Sequence, residues 1–213
     1  MNIFINITGV YDEEGWSLAG AHTLDLRQLD GCCCYCDPEA EAALRSAIAP
    51  LPLSGVHWID TGDYHYLSKL WMERVREPFV LALFDNHPDD QATAFGSLLS
   101  CGSWVQAARD GLPLMKADYL NPDDIPGELP VYLSIDLDVL SPEYARTDWD
   151  QGTLSTAGLI AAVDAIAAGH RILGVDICGG LTIAKGATAG DIAVNLKTRK
   201  ELEAYFSLLL KAA

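Results

Sequence analysis

Short, wholly apolar runs alternate along this chain with longer stretches of helical spacing, and that alternation restricts the fold more than any other feature. Residues 2–8, 22–26, 56–60, 79–84, 131–135 and 171–177 read as strands, most of them continuous apolar runs. Between them, residues 38–49, 66–76, 155–168 and 198–212 have helical spacing. Pro38 suits a first helical turn, and Ser155, after Gly152-Thr153-Leu154, offers a capping hydroxyl. Strands that are apolar on both faces must be covered on both faces, and parallel strands need crossover connections, which the helices supply. The pattern predicts an α/β chain with a mostly parallel sheet between helical layers. The Pro-, Gly- and acid-rich segment 121–130 reads as a surface loop, and residues 1–213 are expected to form a single domain.

Composition limits the partners. With 14 Lys and Arg against 30 Asp and Glu, the formal net charge is -16, which repels polyphosphate and anionic lipid and favours cations. Nucleic acid and membranes are therefore not expected as partners. No apolar run reaches the ~20 residues of a membrane-spanning helix, and the first residues lack the pattern of a secretory leader, so the expected location is cytoplasmic. Six cysteines in such a chain are expected as reduced thiols. Cys32, Cys33, Cys34 and Cys36 fit no usual zinc spacing and read as a buried small-residue stretch after a turn at Asp30-Gly31.

In open α/β sheets ligands gather beyond the carboxyl ends of the strands, so those ends carry the functional signal. The run FVLALF ends in Asp85-Asn86-His87-Pro88-Asp89, VYLSI ends in Asp136-Leu137-Asp138, and VHWID leads into Thr61-Gly62-Asp63-Tyr64-His65. In an extended segment Asp85, His87 and Asp89 share one side. Carboxylates emerging from buried strands are costly unless a cation or hydrogen bonds compensate. A mixed oxygen and nitrogen donor set without thiolate suits manganese, with zinc, iron or cobalt also compatible. His22, His57 and His170 have no acidic neighbours at ligand spacing and read as structural.

At these residues the sequence resembles the arginase, agmatinase and formiminoglutamase superfamily, the ureohydrolases. The Asp-x-His-x-Asp strand end matches Asp85 to Asp89. The Ser-x-Asp-x-Asp motif matches Ser134-Ile135-Asp136-Leu137-Asp138, with Ser141 where the family has a further Asp, and Gly62-Asp63-Tyr64-His65 keeps only the ends of a third motif. The resemblance implies a three-layer α/β/α sandwich. It places His65, Asp85, Asp89 and Asp136 on one Mn2+ ion and Asp85, His87, Asp136 and Asp138 on a second, with Asp85 and Asp136 bridging. It implies hydrolysis of a carbon-nitrogen bond in a small-molecule substrate, an amidine, guanidine or amide, by a water activated between two cations, with Asp138 as its hydrogen-bond acceptor. It is also compatible with a homo-oligomer.

Three departures follow from the same comparison. Cys101 stands where the family carries a histidine proton shuttle, and a thiol there works only with a depressed pKa. Asp176 falls at a substrate-gripping strand end, yet Gly179 occupies the position of the carboxylate that holds a guanidinium, so a standard arginase activity is not expected. Trp149 and Asp150 fall on the loop where the family contacts substrate, and Tyr64 and Tyr66 beside His65 are either phenol donors or packing residues. A non-catalytic metal-binding or ligand-sensing protein on the same fold is the alternative. Deacetylase-like chemistry with one zinc would need paired upstream histidines that the chain lacks.

Overall fold

The structure, a computed structural model, describes residues 1–93 and 98–212. In chain order its elements are β1 (Asn2–Asn6), α1 (Val10–Glu13), β2 (His22–Asp25), β3 (Tyr35–Cys36), α2 (Pro38–Ile48), β4 (Val56–Trp58), α3 (Leu67–Met72), β5 (Phe79–Phe84), β6 (Leu99–Ser100), α4 (Trp104–Gly111), β7 (Met115–Leu120), β8 (Val131–Asp136), α5 (Thr156–Gly169), β9 (Ile172–Cys178) and α6 (Ala189–Ala212). Seven strands form one sheet in the order β2-β1-β4-β9-β8-β5-β7, and every pairing in it is parallel. β3 and β6 form a separate antiparallel pair.

The strand interior alternates between two cores. Leu81 and Leu83 of β5 pack with Leu44 of α2, Trp71 of α3 and Trp104 of α4, whereas Val80, Ala82 and Phe84 pack with Val163 of α5 and Phe206 of α6. The chain is thus an α/β/α sandwich, as the continuous apolar runs require. Asp37 caps α2 through the amides of Glu39 and Ala40, with Pro38 in the first turn, and Ser155 caps α5 through Gly158. Among the described residues no helix is long and apolar enough to cross a membrane.

Several boundaries differ from the sequence pattern. The last helix begins at Ala189, well before residue 198, and α3 ends at Met72, short of residue 76. β7 is an additional strand whose Lys116 and Asp118 break the apolar pattern; it pairs only with β5, so one of its edges is free and tolerates charge. The cysteine stretch divides: Cys32 and Cys36 are buried in the core, but Cys33 is exposed and Cys34 half-exposed. The buried-stretch reading thus holds for two of the four.

One buried ion pair ties α6 to the sheet. Arg199 is wholly buried, its Nε 2.8 Å from Glu14 Oε2, and it donates to the Gly179 carbonyl at 2.5 Å. Arg199→Met should strand the Glu14 carboxylate without its partner and cost ~3–5 kcal/mol, read as a lower urea midpoint at unchanged slope.

Candidate metal centre

The carboxyl ends of β5 and β8 and the turn after β4 meet at one point. β5 delivers Asp85, whose backbone is held by Asn121: the Asp85 amide donates to Asn121 Oδ1 at 3.0 Å and Asn121 Nδ2 donates to the Asp85 carbonyl at 2.7 Å. Beyond it the chain does not stay extended, because Asp89 adopts φ +47°. Asp85, His87 and Asp89 therefore do not share one side. Asp89 turns toward His65, with Trp104 Nε1 donating to its Oδ2 at 2.7 Å, and His87 turns toward Asp138, Nδ1 to Oδ2 2.8 Å.

Two donor groups result, and Asp85 belongs to both. His65, Asp85 and Asp89 form one, and Asp85, His87 and Asp138 the other. Asp136 joins from β8: it groups with His65 and Cys178, and its Oδ1 accepts from the Asp138 amide at 2.9 Å. All six residues named from the motifs come together, including His65 from the loosest of them.

The donor set fits a cation on a direct observation. His65 is buried, and its Nε2 lies 2.8 Å from Ser134 Oγ, which is braced by Ser68 at the same distance. Its Nδ1 is buried and makes no hydrogen bond, although it faces Asp85 Oδ2 and Asp89 Oδ2 at 3.1 Å and Asp136 Oδ2 at 3.7 Å. Three carboxylates converge on this buried ring nitrogen, and against burial the neighbouring Cys178, Asp85 and Asp89 raise the imidazole well above its usual pKa, an arrangement that calls for positive charge.

The protonation pattern agrees. Burial pushes Asp138 up to about 9, assisted by the charges of Asp136 and Asp85, and burial with the Asp85 charge pushes Asp136 up to about 6. Burial also opposes ionisation of Asp85, but His65 and His87 beside it outweigh that and hold it at about 2. His87 is raised to about 9 by its bond to Asp85, against burial and with help from Asp138. Acids kept protonated next to a histidine kept charged describe a cluster short of cations.

Above the cluster lies a cavity of about 300 Å³ walled by Cys34, Tyr35, Gln91, Cys101 and Trp149. Cys101 and Trp149 both line it. Burial first, then the charges of Asp89 and Asp63, push the Cys101 thiol up to about 11, so it is a protonated thiol, not the depressed one a shuttle needs. Trp149 is 41% exposed, sits edge-on to His87 and donates from Nε1 to Asp63 Oδ1 at 3.3 Å. Asp150 is exposed and does not line the cavity; its backbone carbonyl accepts from Asn86 Nδ2 at 2.9 Å.

Asp176 is a correction. It lies in the interior of β9 with no exposure, 2.6 Å from His57 Nδ1 and 2.8 Å from the Tyr132 hydroxyl, which donates to it. The motif comparison placed it by sequence position, but β9 runs on to Cys178 before the strand ends, so the polar strand end is Cys178 and Gly179. Tyr64 and Tyr66 are buried, and Tyr66 donates to the Cys32 carbonyl at 2.5 Å, which is the packing reading. Ser134, Trp104, Asn121 and Cys178 were not singled out as site residues. Ser134 was legible, since it lies two residues before Asp136 and hence on the same side of β8.

Gly179 has φ +102°, and a Cβ there would lie 2.8 Å from Asp136 Oδ1 and 2.9 Å from the Leu137 amide nitrogen. The absent carboxylate is thus not a vacancy in the cavity wall: the position has no room for any side chain. Gly179→Ala should cost at least ~1–3 kcal/mol in backbone strain and also displace Asp136, read as weaker manganese binding by calorimetry together with a lower melting temperature.

No family model matches the chain. An uncharacterized protein of Thermotoga maritima is 29% identical over 194 residues, covering 82% of this chain and 78% of that protein. Among solved structures, arginase from Medicago truncatula matches with a TM-score of 0.67 at 13% identity, covering 97% of this chain and 86% of that chain. The proclavaminate amidino hydrolase of Streptomyces clavuligerus matches at 0.65 and 14% identity over 98% and 92% of the two chains. A triple mutant of the T. brucei arginase-like protein bound with Mn2+ matches at 0.63 and 16% identity over 100% and 90%. The chain therefore has the α/β fold that these arginase-like structures share.

Proposed function

We propose that this chain is a metal-dependent hydrolase of carbon-nitrogen bonds in a small linear amidine, guanidine or amide, working with two manganese ions and distinct from a standard arginase. The observation that carries the reading is the unpartnered His65 Nδ1 aimed at Asp85, Asp89 and Asp136, beside a second donor group that shares Asp85. Relatives in fold include an arginase, an amidino hydrolase and a protein bound with Mn2+. His65, Asp85, Asp89 and Asp136 would hold one ion, and Asp85, His87, Asp138 and Asp136 the other. The ions would supply the positive charge that acidifies a water and stabilises the oxyanion formed at the substrate carbon.

The chain's own residues do the rest. Asp138 faces the cavity and takes the hydrogen bond of the attacking water, oriented by the Asn86 amide at 3.0 Å and by His87 Nδ1. Trp149 covers the cavity beside His87 and limits bulk water. Among the described residues the side wall offers Cys34, Tyr35, Gln91 and Cys101 and no carboxylate outside the donor cluster, which disfavours a free guanidinium. The ligand is a small molecule; the acidic surface disfavours nucleic acid and membranes, and the working location is the cytoplasm, as a homo-oligomer.

The test is elemental analysis of manganese-supplied protein followed by a screen of amidines, guanidines and amides for released ammonia, amine or urea. Turnover that requires manganese and is lost in Asp138→Asn supports the reading; bound manganese without turnover on any class overturns catalysis. That second result would favour a ligand-sensing protein, the reading that the protonated Cys101 thiol and the closed position at Gly179 support.

A further inference from the structure

Outside the carboxylate cluster, the loop between β2 and α2 gathers a second set of donors of different chemistry. Gly31, with φ +76°, opens the loop, and the Asp37 amide closes it onto the Gly31 carbonyl at 2.8 Å. Inside it, Cys34 adopts φ +57°, a left-handed conformation that a cysteine seldom holds and that surrounding contacts must enforce. Two contacts do so: the Cys101 amide donates to the Cys34 carbonyl at 2.9 Å, and the Tyr66 hydroxyl donates to the Cys32 carbonyl. The turn sends Cys32 and Cys36 into the core and leaves Cys33 and Cys34 facing outward together.

Adjacent side chains in extended backbone diverge, but here the left-handed residue makes them converge. The two thiols and an Asp63 carboxylate oxygen lie within 4.8 Å of one another, and Cys33 Sγ is 3.6 Å from Asp63 Oδ2. Cys101, beside Cys34 across the β3–β6 ladder, brings a third thiol into hydrogen-bonding contact with Cys34. Cys34 and Cys101 also line the cavity.

We propose that Cys33, Cys34 and Asp63 form a separate site for a thiophilic divalent ion of the zinc class, beside the cavity that Cys34 and Cys101 line. Two sulfurs and one oxygen, with a fourth position open to water, match the softness and four-coordination that zinc accepts, whereas manganese is better served by the oxygen and nitrogen donors of the carboxylate cluster. Each thiol that ligates releases its proton to solvent. Lys185 Nζ, 2.5 Å from Asp63 Oδ2 and paired also with Asp148, already neutralises that carboxylate, and an arriving ion displaces it toward Asp148.

The test uses the full chain, reduced with a phosphine, stripped of metal, loaded with manganese and then titrated with Co2+ and Zn2+. We expect a near-ultraviolet thiolate-to-cobalt absorption and one tightly held zinc per chain. Both should persist in the Asp85→Asn, Asp136→Asn protein and disappear in Cys33→Ser, Cys34→Ser. Zinc should also protect Cys33 and Cys34 of the wild type from alkylation, read by peptide mass mapping, which decides the matter even where the serine protein does not fold. Absence of the absorption and of protection in the wild type overturns the site. So does an absorption that survives in the serine protein and vanishes in Cys178→Ser, since Cys178 lies against Asp136.

Discussion

Protein carrying Asp85→Asn and Asp136→Asn together is expected to emerge from purification with no retained manganese, against two ions per chain in the wild type, while keeping its fold. Both carboxylates sit where the donor groups meet, and an amide oxygen offers neither their charge nor their second lone-pair-bearing oxygen. Losing even an outer partner of a ligand typically costs ~10–100-fold in metal affinity, and losing two shared ligands should exceed that. The fold should survive because the substitution removes buried like charge rather than packing. In metal-free form the variant should even melt higher than the wild type at alkaline pH, since Asp136 is buried and crowded by the Asp85 charge. Elemental mass spectrometry and thermal melts check both parts. Full retention of manganese would remove the site; collapse of the fold would make the two aspartates structural.

The second large effect is a pH-dependent stabilisation by manganese. Asp136 and Asp138 are raised from 3.8 to about 6 and 9, and His87 from 6.5 to about 9, so across this range the folded metal-free chain holds protons that the unfolded chain has released. Stability contributed by a raised group is present below its unfolded pKa and lost as pH rises through its folded one, and all three act in that direction. Asp85, depressed from 3.8 to about 2, acts oppositely, but only in more acidic solution. The metal-free protein should therefore lose stability steadily from mildly acidic to alkaline pH. Manganese replaces those protons, so its effect should grow as pH rises. One ion at a hundredfold excess over its Kd contributes ~2.7 kcal/mol, or roughly 5–10 °C at ~2–4 °C per kcal/mol. Calorimetric scans at pH values on either side of neutrality, with chelator or manganese, measure it. A manganese shift that is equal at both, or larger at the acidic one, would show that these groups do not titrate with folding.

Much of this arrangement was legible in the residues. Continuous apolar strands dictated the parallel sheet, and polar strand ends marked the donors, because an unpaired carboxylate has no other reason to follow FVLALF or VYLSI. What the residues did not disclose depended on geometry that no periodicity encodes. The left-handed turn at Asp89 carries it to His65 while His87 stays with Asp85 and Asp138, and the one at Cys34 brings two adjacent thiols together. Asp176 misled because the position in the motif lies inside β9, where His57 and Tyr132 both contact its Oδ1, rather than at its end. β7 escaped notice because a strand with one free edge can carry Lys116 and Asp118.

The position of β9 has a consequence for how the chain is made. It is the last strand in the sequence, yet it lies at the middle of the sheet, with β2, β1 and β4 on one side and β8, β5 and β7 on the other. During synthesis the two half-sheets can form in turn, but each keeps an unsatisfied inner edge until residues 172–178 leave the ribosome and slot between them. His65 rides with the first half and Asp85, Asp89 and Asp136 with the second, so the donor group around His65 is assembled only by that final insertion, whereas Asp85, His87 and Asp138 already meet across the β5–β8 pair. The long sequence separations make the closing step slow, and exposed inner edges invite pairing between nascent chains. Ribosome-stalled chains ending before β9 should be prone to association and should lack the manganese position that needs His65, so capture of the full complement of metal should report completion of the fold.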